Sequence, residues 1–250
     1  MPVRWSSPVR VLSIIGLILV AALDLPSSAI AQVKGIQPTS SYLSENIAGW
    51  TLRVNKELHY QRKRLATRVR QKLRRDLIRI TKLVPPNVTK FLRLIPIWVQ
   101  HDARWEKFDE FKFHYFHTQA GPWLIKNGIN KDKAGGISIS DGSYFLQSED
   151  GAPLLLLHEL AHAYHEQVLG YGHPELVAAY KNASANGSYD KVDRIDGKKT
   201  KHYGIRNVRE YFAEGTEAYF GQNDHYPYNR HDLEKHDPEL ARLMKKLWLL

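Results

Sequence analysis

The stretch 154-LLLLHELAHAYHEQ-167 runs four leucines directly into three histidines and two glutamates. It limits what this chain can fold into more than any other segment does. Titratable groups inside an apolar element are costly to bury unless something satisfies them. Pro153 suits a first helical turn and Gly170 suits a stop, so the pattern predicts a helix of about 17 residues. Positions four apart on a helix lie one above the other, so His158 and His162 share a face and can hold one ion between two imidazoles. Glu159 sits one step round, within reach of a water on that ion. Leu157, Ala161, Tyr164 and Val168 fall on the opposite side, where they anchor the helix in a core. The leucines bury the helix, and a metal satisfies the histidines.

Zinc in a catalytic site takes three protein ligands and keeps a fourth position for water. His165, three residues beyond His162, is therefore expected at the edge of a cleft or behind a ligand, because a fourth ligand would close that position. The extended pattern HExxHxxGxxH requires glycine at position 165 and histidine at position 168, where this chain has His165 and Val168, so that class is excluded. The other known solution is a glutamate on a later helix. Glu210, Glu214 and Glu217 recur at i, i+4 and i+7 in 207-NVREYFAEGTEAYFG-221. Spacing does not choose between Glu210 and Glu214 as the ligand, and a solvated glutamate face produces the same stripe.

The segments 158-HELAH-162 and 203-YGIRNVREYFAE-214 resemble the gluzincin metallopeptidases of the anthrax lethal factor and Pro-Pro endopeptidase type. The likeness spans roughly residues 135 to 221, with Asn207, Glu210, Tyr211, Phe212, Ala213 and Glu214 in register. The resemblance implies a zincin-like α+β fold, Zn2+ held by His158, His162 and Glu210, and Glu159 as general base. It also implies Tyr203 as a hydroxyl donor to the developing oxyanion and Glu214 as a partner behind the ligands; His202 is the alternative donor, outside what the resemblance implies. His165 and the segment 189–204 depart from the family pattern, so proline specificity does not transfer.

Residues 1–31 carry Arg4 and Arg10, then the apolar run 11-VLSIIGLILVAAL-23, then 29-AIA-31, the layout of a signal peptide cleaved after Ala31. The apolar run falls short of the roughly 20 residues that span a bilayer, which makes an uncleaved anchor the lesser alternative. No cysteine is present, which excludes disulfides and thiolate chemistry, and export without disulfides suits a bacterial secreted or periplasmic protein better than a eukaryotic one. The net charge is +10, and residues 56–82 concentrate basic side chains against only Glu57 and Asp76. Leu65, Val69, Leu73, Leu77 and Ile80 recur there at helical spacing, so the run reads as a helix with one buried stripe and a solvated basic remainder. That remainder is compatible with a weak contact to anionic surfaces. Interleaved aromatics are missing, which argues against nucleic acid as a partner.

The expected organisation is a linker over 32–48 and a single domain over 49–250, with an N-terminal lobe to about 170 and a helical lobe beyond it. Strands are expected at 50–55, 91–100 and 135–141, the last as an exposed edge able to pair with a substrate. An irregular aromatic stretch at 111–124 leads into a short helix near 122–127. Helices are expected at 173–185, 207–221 and 237–248, with a hairpin or long loop around Asp196-Gly197. Strands early and helices late indicate α+β. The function expected is a monomeric, secreted zinc metallopeptidase acting on polypeptides. The competing readings are a non-catalytic zinc-fold binding protein at the cell surface and a zinc hydrolase acting on a non-peptide bond.

Overall fold

A computed structural model describes residues 36–101, 112–147 and 154–249. The expected signal segment and Pro153 lie outside these residues. After a 3-10 turn at Thr39–Ser41, strand β1 (Tyr42–Ile47) returns on β2 (Trp50–Asn55) as an antiparallel hairpin, with Ile47 opposite Trp50. Ala48 and Gly49 both take positive φ, 53° and 93°, the conformation that a two-residue hairpin turn requires. Residues 42–47, expected inside a linker, are therefore the outer strand of the sheet.

Asn55 ends β2 and caps the next helix, its side chain accepting from the amides of Glu57 and Leu58. That helix, α1 (Lys56–Gln61), breaks at Arg62 and continues as α2 (Lys63–Leu83). Val69, Leu73, Leu77 and Ile80 of α2 are fully buried, Leu65 partly so, and together they cover one face of the sheet. Helix α3 (Pro86–Leu92) starts on a proline, a favoured first position, and only then comes β3 (Ile97–Val99). The expected strand at 91–100 thus shrinks to Ile97–Val99, with Phe91 and Leu92 in the helix and a turn between. Strand β4 (Phe113–Tyr115) lies in the stretch expected to be irregular, and α4 (Gly121–Lys126) follows it as expected.

Strand β5 (Ile137–Ile139) pairs parallel with β3 and antiparallel with β4, giving the order β1-β2-β3-β5-β4. A short helix α5 (Gly142–Gln147) leads to α6 (Leu155–Tyr164), which runs on through a π-helical turn at His165–Leu169 and stops at Gly170, with φ 77°. The rest is mainly helical: α7 (Pro174–Ala185), a small hairpin of β6 (Val192–Asp193) and β7 (Lys199–Thr200), α8 (Val208–Phe220), α9 (Arg230–His236) and α10 (Pro238–Leu247). The fold is α+β, a small N-terminal sheet followed by a helical C-terminal part.

One continuous apolar core joins the sheet, α2, α6, α8 and α10. Trp248 closes it from below, stacked on Tyr164 of α6 at 4.8 Å and on Phe212 of α8 at 5.8 Å. Its indole N–H donates to Thr216 Oγ1 at 3.1 Å, and Tyr164 Oη donates to the carbonyl of Leu247 at 2.9 Å. These contacts fix α6 against α8, the two helices that carry the sequence-marked residues. Among the described residues, no helix is long and apolar enough to cross a membrane.

Candidate metal centre

Helix α6 is buried almost throughout. Leu156, Leu157, Leu160, Ala161 and Ala163 lie in the core, while His158, Glu159 and His162 emerge from it only 5–7% exposed. Val168, expected on the anchoring side, is instead 47% exposed, because the π-helical turn rotates the helix after Tyr164 away from its α-helical phase. Opposite α6 stands α8, whose first turn is set by Asn207. The Asn207 side chain accepts from the amides of Arg209 at 2.9 Å and Glu210 at 3.1 Å. Capping holds Glu210 at the helix entrance, facing the histidines.

Three atoms that could ligate a metal meet there. His158 Nε2 and His162 Nε2 lie 3.1 Å apart, and Glu210 Oε2 is 3.3 Å from the first and 3.4 Å from the second. Tetrahedral zinc with bonds of about 2.0–2.2 Å places its ligand atoms about 3.3–3.6 Å from one another; the two distances to Glu210 fall in that range and the histidine pair is about 0.2 Å closer, a margin within which the residues fit such an ion. Burial opposes charge on Glu210, but the two imidazoles beside it hold its carboxyl below the usual range. Burial likewise lowers His162, whereas Glu210 and Glu217 overcome the burial of His158 and raise it.

The carboxylate that orients His158 is Glu217, with Oε1 2.6 Å from Nδ1. Glu214, which the resemblance put behind the ligands, is 3.7 Å from the same nitrogen and instead accepts from Asn223 Nδ2 at 2.7 Å. Glu217 thus takes the place expected for Glu214. The stripe of three glutamates pointed to this face, but the crossing of α6 and α8 decides which of them reaches the imidazole. Burial pushes Glu214 up to about 8, with the Glu217 charge adding to the effect. A second grouping, Glu214 with Asp224 and His225, is internally paired, since Asp224 also meets Arg194 at 3.1 Å and His225 at 2.6 Å.

Glu159 lies beside the three ligating side chains and accepts from the backbone N–H of Tyr115 at 2.7 Å. Burial pushes its carboxyl up to about 7. Tyr115 belongs to β4, and β4, not β5, is the sheet edge at this cleft, so the segment 135–140 expected to receive a peptide is an interior strand. Glu166, in the π-helical turn, clamps that edge. Its carboxylate accepts from Tyr115 Oη at 2.6 Å, from Thr118 Oγ1 at 2.6 Å and from the Thr118 amide at 3.0 Å. Sequence reasoning passed over Glu166 because its partners lie 48 to 51 positions away. His165 is not at the cleft edge. It is fully buried, packed on Tyr171 and Phe212 at 5.1 Å each, with no hydrogen-bond partner on either nitrogen.

Tyr203 opens a 3-10 turn, Tyr203–Arg206, and is 42% exposed on the wall of a cavity of about 330 Å3 that His162 and Glu210 also line. Its hydroxyl accepts from Arg206 Nη1 at 3.0 Å. Burial and the Glu210 charge raise its pKa, with Arg206 opposing them. His202 points elsewhere: Nδ1 accepts from the Gly204 amide at 2.9 Å, and the ring packs against Tyr189 and His225. His114, from β4, faces the cavity from the other wall, and burial lowers it to about 4.

No family model and no curated protein matches the chain. Among solved structures, the PRO-PRO endopeptidase (PPEP-2) from Paenibacillus alvei aligns with 22% identity and a TM-score of 0.40, covering 74% of this chain and 91% of that one.

Proposed function

We propose that the chain is a secreted zinc-dependent metallopeptidase. The observation that carries the reading is the triangle of His158 Nε2, His162 Nε2 and Glu210 Oε2, with sides of 3.1, 3.3 and 3.4 Å, at the floor of an open cleft beside a buried carboxylate. Zinc bound there supplies Lewis-acid chemistry, polarising a water or a carbonyl oxygen. Glu159 takes the proton from the attacking water and later gives it to the leaving amine. Buried beside the candidate ligands and held by the Tyr115 N–H, that carboxyl is placed for both transfers. The Tyr115 N–H holds that carboxylate on one oxygen and leaves the other for the water.

Tyr203 receives a hydrogen bond from Arg206, so its own O–H remains to be donated to the oxygen on which charge builds. Strand β4 offers an extended peptide an edge to pair with, directly above Glu159. A purely metal-holding protein has no use for Glu159 or Tyr203, which favours turnover over scaffolding. Export rests on the pattern of residues 1–31, and a mature chain beginning at Gln32 is its signature.

The test is metal analysis of the purified chain together with proteome-wide cleavage profiling against Glu159→Gln. One zinc per chain and cleavages that vanish in the variant support the reading. A metal-free chain with full activity refutes it. Hydrolysis of peptidoglycan fragments without cleavage of peptides moves the site to a non-peptide bond.

A further inference from the structure

The wall of the cleft built by the Tyr203–Arg206 turn and the first turn of α8 carries two guanidiniums. Arg206 and Arg209 both line the cavity that holds His162 and Glu210. Each is steadied by an aromatic ring: Arg206 lies 5.6 Å from the centre of the Tyr203 ring and donates to its hydroxyl, and Arg209 lies 5.4 Å from the centre of the Tyr171 ring. Both side chains are exposed and line the cavity.

The acidic groups nearby are committed. Glu210 belongs to the ligating triangle, and the Glu166 carboxylate is taken up by Tyr115 and Thr118. The opposite wall presents His114 and His117. A side chain entering this cleft meets two fixed cations and no uncommitted carboxylate among the described lining residues. A guanidinium fork matches a carboxylate in shape as well as in charge. The +10 charge of the chain also draws acidic substrates toward it.

We propose that the cleft selects peptides that place a carboxylate against Arg206 and Arg209, close to the bond to be cut. This rests on the metallopeptidase reading of the same site. The carboxylate has two sources, an internal Asp or Glu side chain or the free C-terminus of the substrate. The first makes the protein an endopeptidase with acidic preference, the second an exopeptidase.

Short random peptides, made once with free and once with amidated C-termini, are captured on the immobilised zinc-loaded Glu159→Gln chain and sequenced. The same pools are then digested with the unsubstituted chain. Expected is an enrichment of about tenfold or more of Asp and Glu over Asn and Gln at one position, or of free over amidated ends, as a charge-assisted bidentate contact gives. The enrichment shrinks as salt rises. Arg209→Gln and Arg206→Gln each reduce it, and the double substitution brings it within about twofold of none while zinc content is retained.

Equal capture of acidic and amide peptides overturns the proposal, as does no capture at all or a preference that survives the double substitution. Digestion without acidic preference overturns it too and leaves the metallopeptidase reading standing. Acidic enrichment on the captured pools with no digestion by the unsubstituted chain does the reverse.

Discussion

Glu217 holds Nδ1 of His158 at 2.6 Å, which fixes the tautomer and turns Nε2 toward Glu210 and His162. Glu217→Gln is therefore expected to weaken zinc binding about 10- to 100-fold, measured by competition with a chromogenic chelator. Glu214→Gln, one turn earlier and bonded to Asn223, should change it far less; the opposite ranking would return the supporting role to Glu214. Glu159→Gln should keep zinc and lose turnover, whereas Glu210→Gln should lose zinc itself. For Tyr203→Phe the expectation is a kcat lower by about 10²- to 10³-fold, the usual effect of one oxyanion donor, with zinc content unchanged and a smaller effect on KM. Near-normal turnover in that variant would remove the phenol from the mechanism. The closeness of His158 and His162 was legible because a helix brings positions four apart together whatever surrounds it, whereas spacing left Glu210 and Glu214 undivided. Glu217 was not, since its role depends on how two helices cross.

At the scale of the element, Asn207 does two things with one side chain: it caps α8 and sets the turn from which Glu210 projects. Asn207→Ala should cost about 1 kcal/mol in urea unfolding and also weaken zinc binding, because the freed first turn carries a ligand. A loss of stability with metal affinity intact would separate the cap from the site. The long periodic helices, α2, α6, α7, α8 and α10, were readable from buried stripes and end signals. Strand β1 was not, because YLSENI puts its buried residues only at its ends and reads as polar linker. Phe91 and Leu92 read as strand because bulky apolar residues suit either state, and the Pro86 start decided for helix. The identity of the edge strand was hidden for a different reason. Strand order comes from pairings between distant segments, and the Ile-Ser alternation of 137–139, which suggests an exposed face, is buried on both sides.

For the whole molecule, two buried histidines other than the candidate ligands contribute to the response to acid. Burial lowers both His165 and His202 to about 3, against about 6.5 in an unfolded chain. As pH falls below about 6.5, the unfolded chain binds protons that the folded one refuses, so stability drops, with a slope approaching about 1.4 kcal/mol per pH unit for each residue down to about pH 3. Glu159 and Glu214, raised to about 7 and about 8, oppose that loss down to about pH 4.5, so the prediction is a difference: between about pH 6 and 4 the urea midpoint of His202→Asn, which can still accept from the Gly204 amide, should fall less than that of the unsubstituted chain by one histidine's share. An unchanged slope would mean that other groups dominate. Trp248→Ala should cost about 3–5 kcal/mol, the usual loss for a buried tryptophan. That indole carries a consequence of timing. Helices α6 and α8 are held together by a side chain made long after both of them, so a ribosome that has already completed His158, His162 and Glu210 has not yet supplied the wedge that fixes their spacing. Until Trp248 has emerged as well, Tyr164 and Phe212 lack the ring that stacks on both.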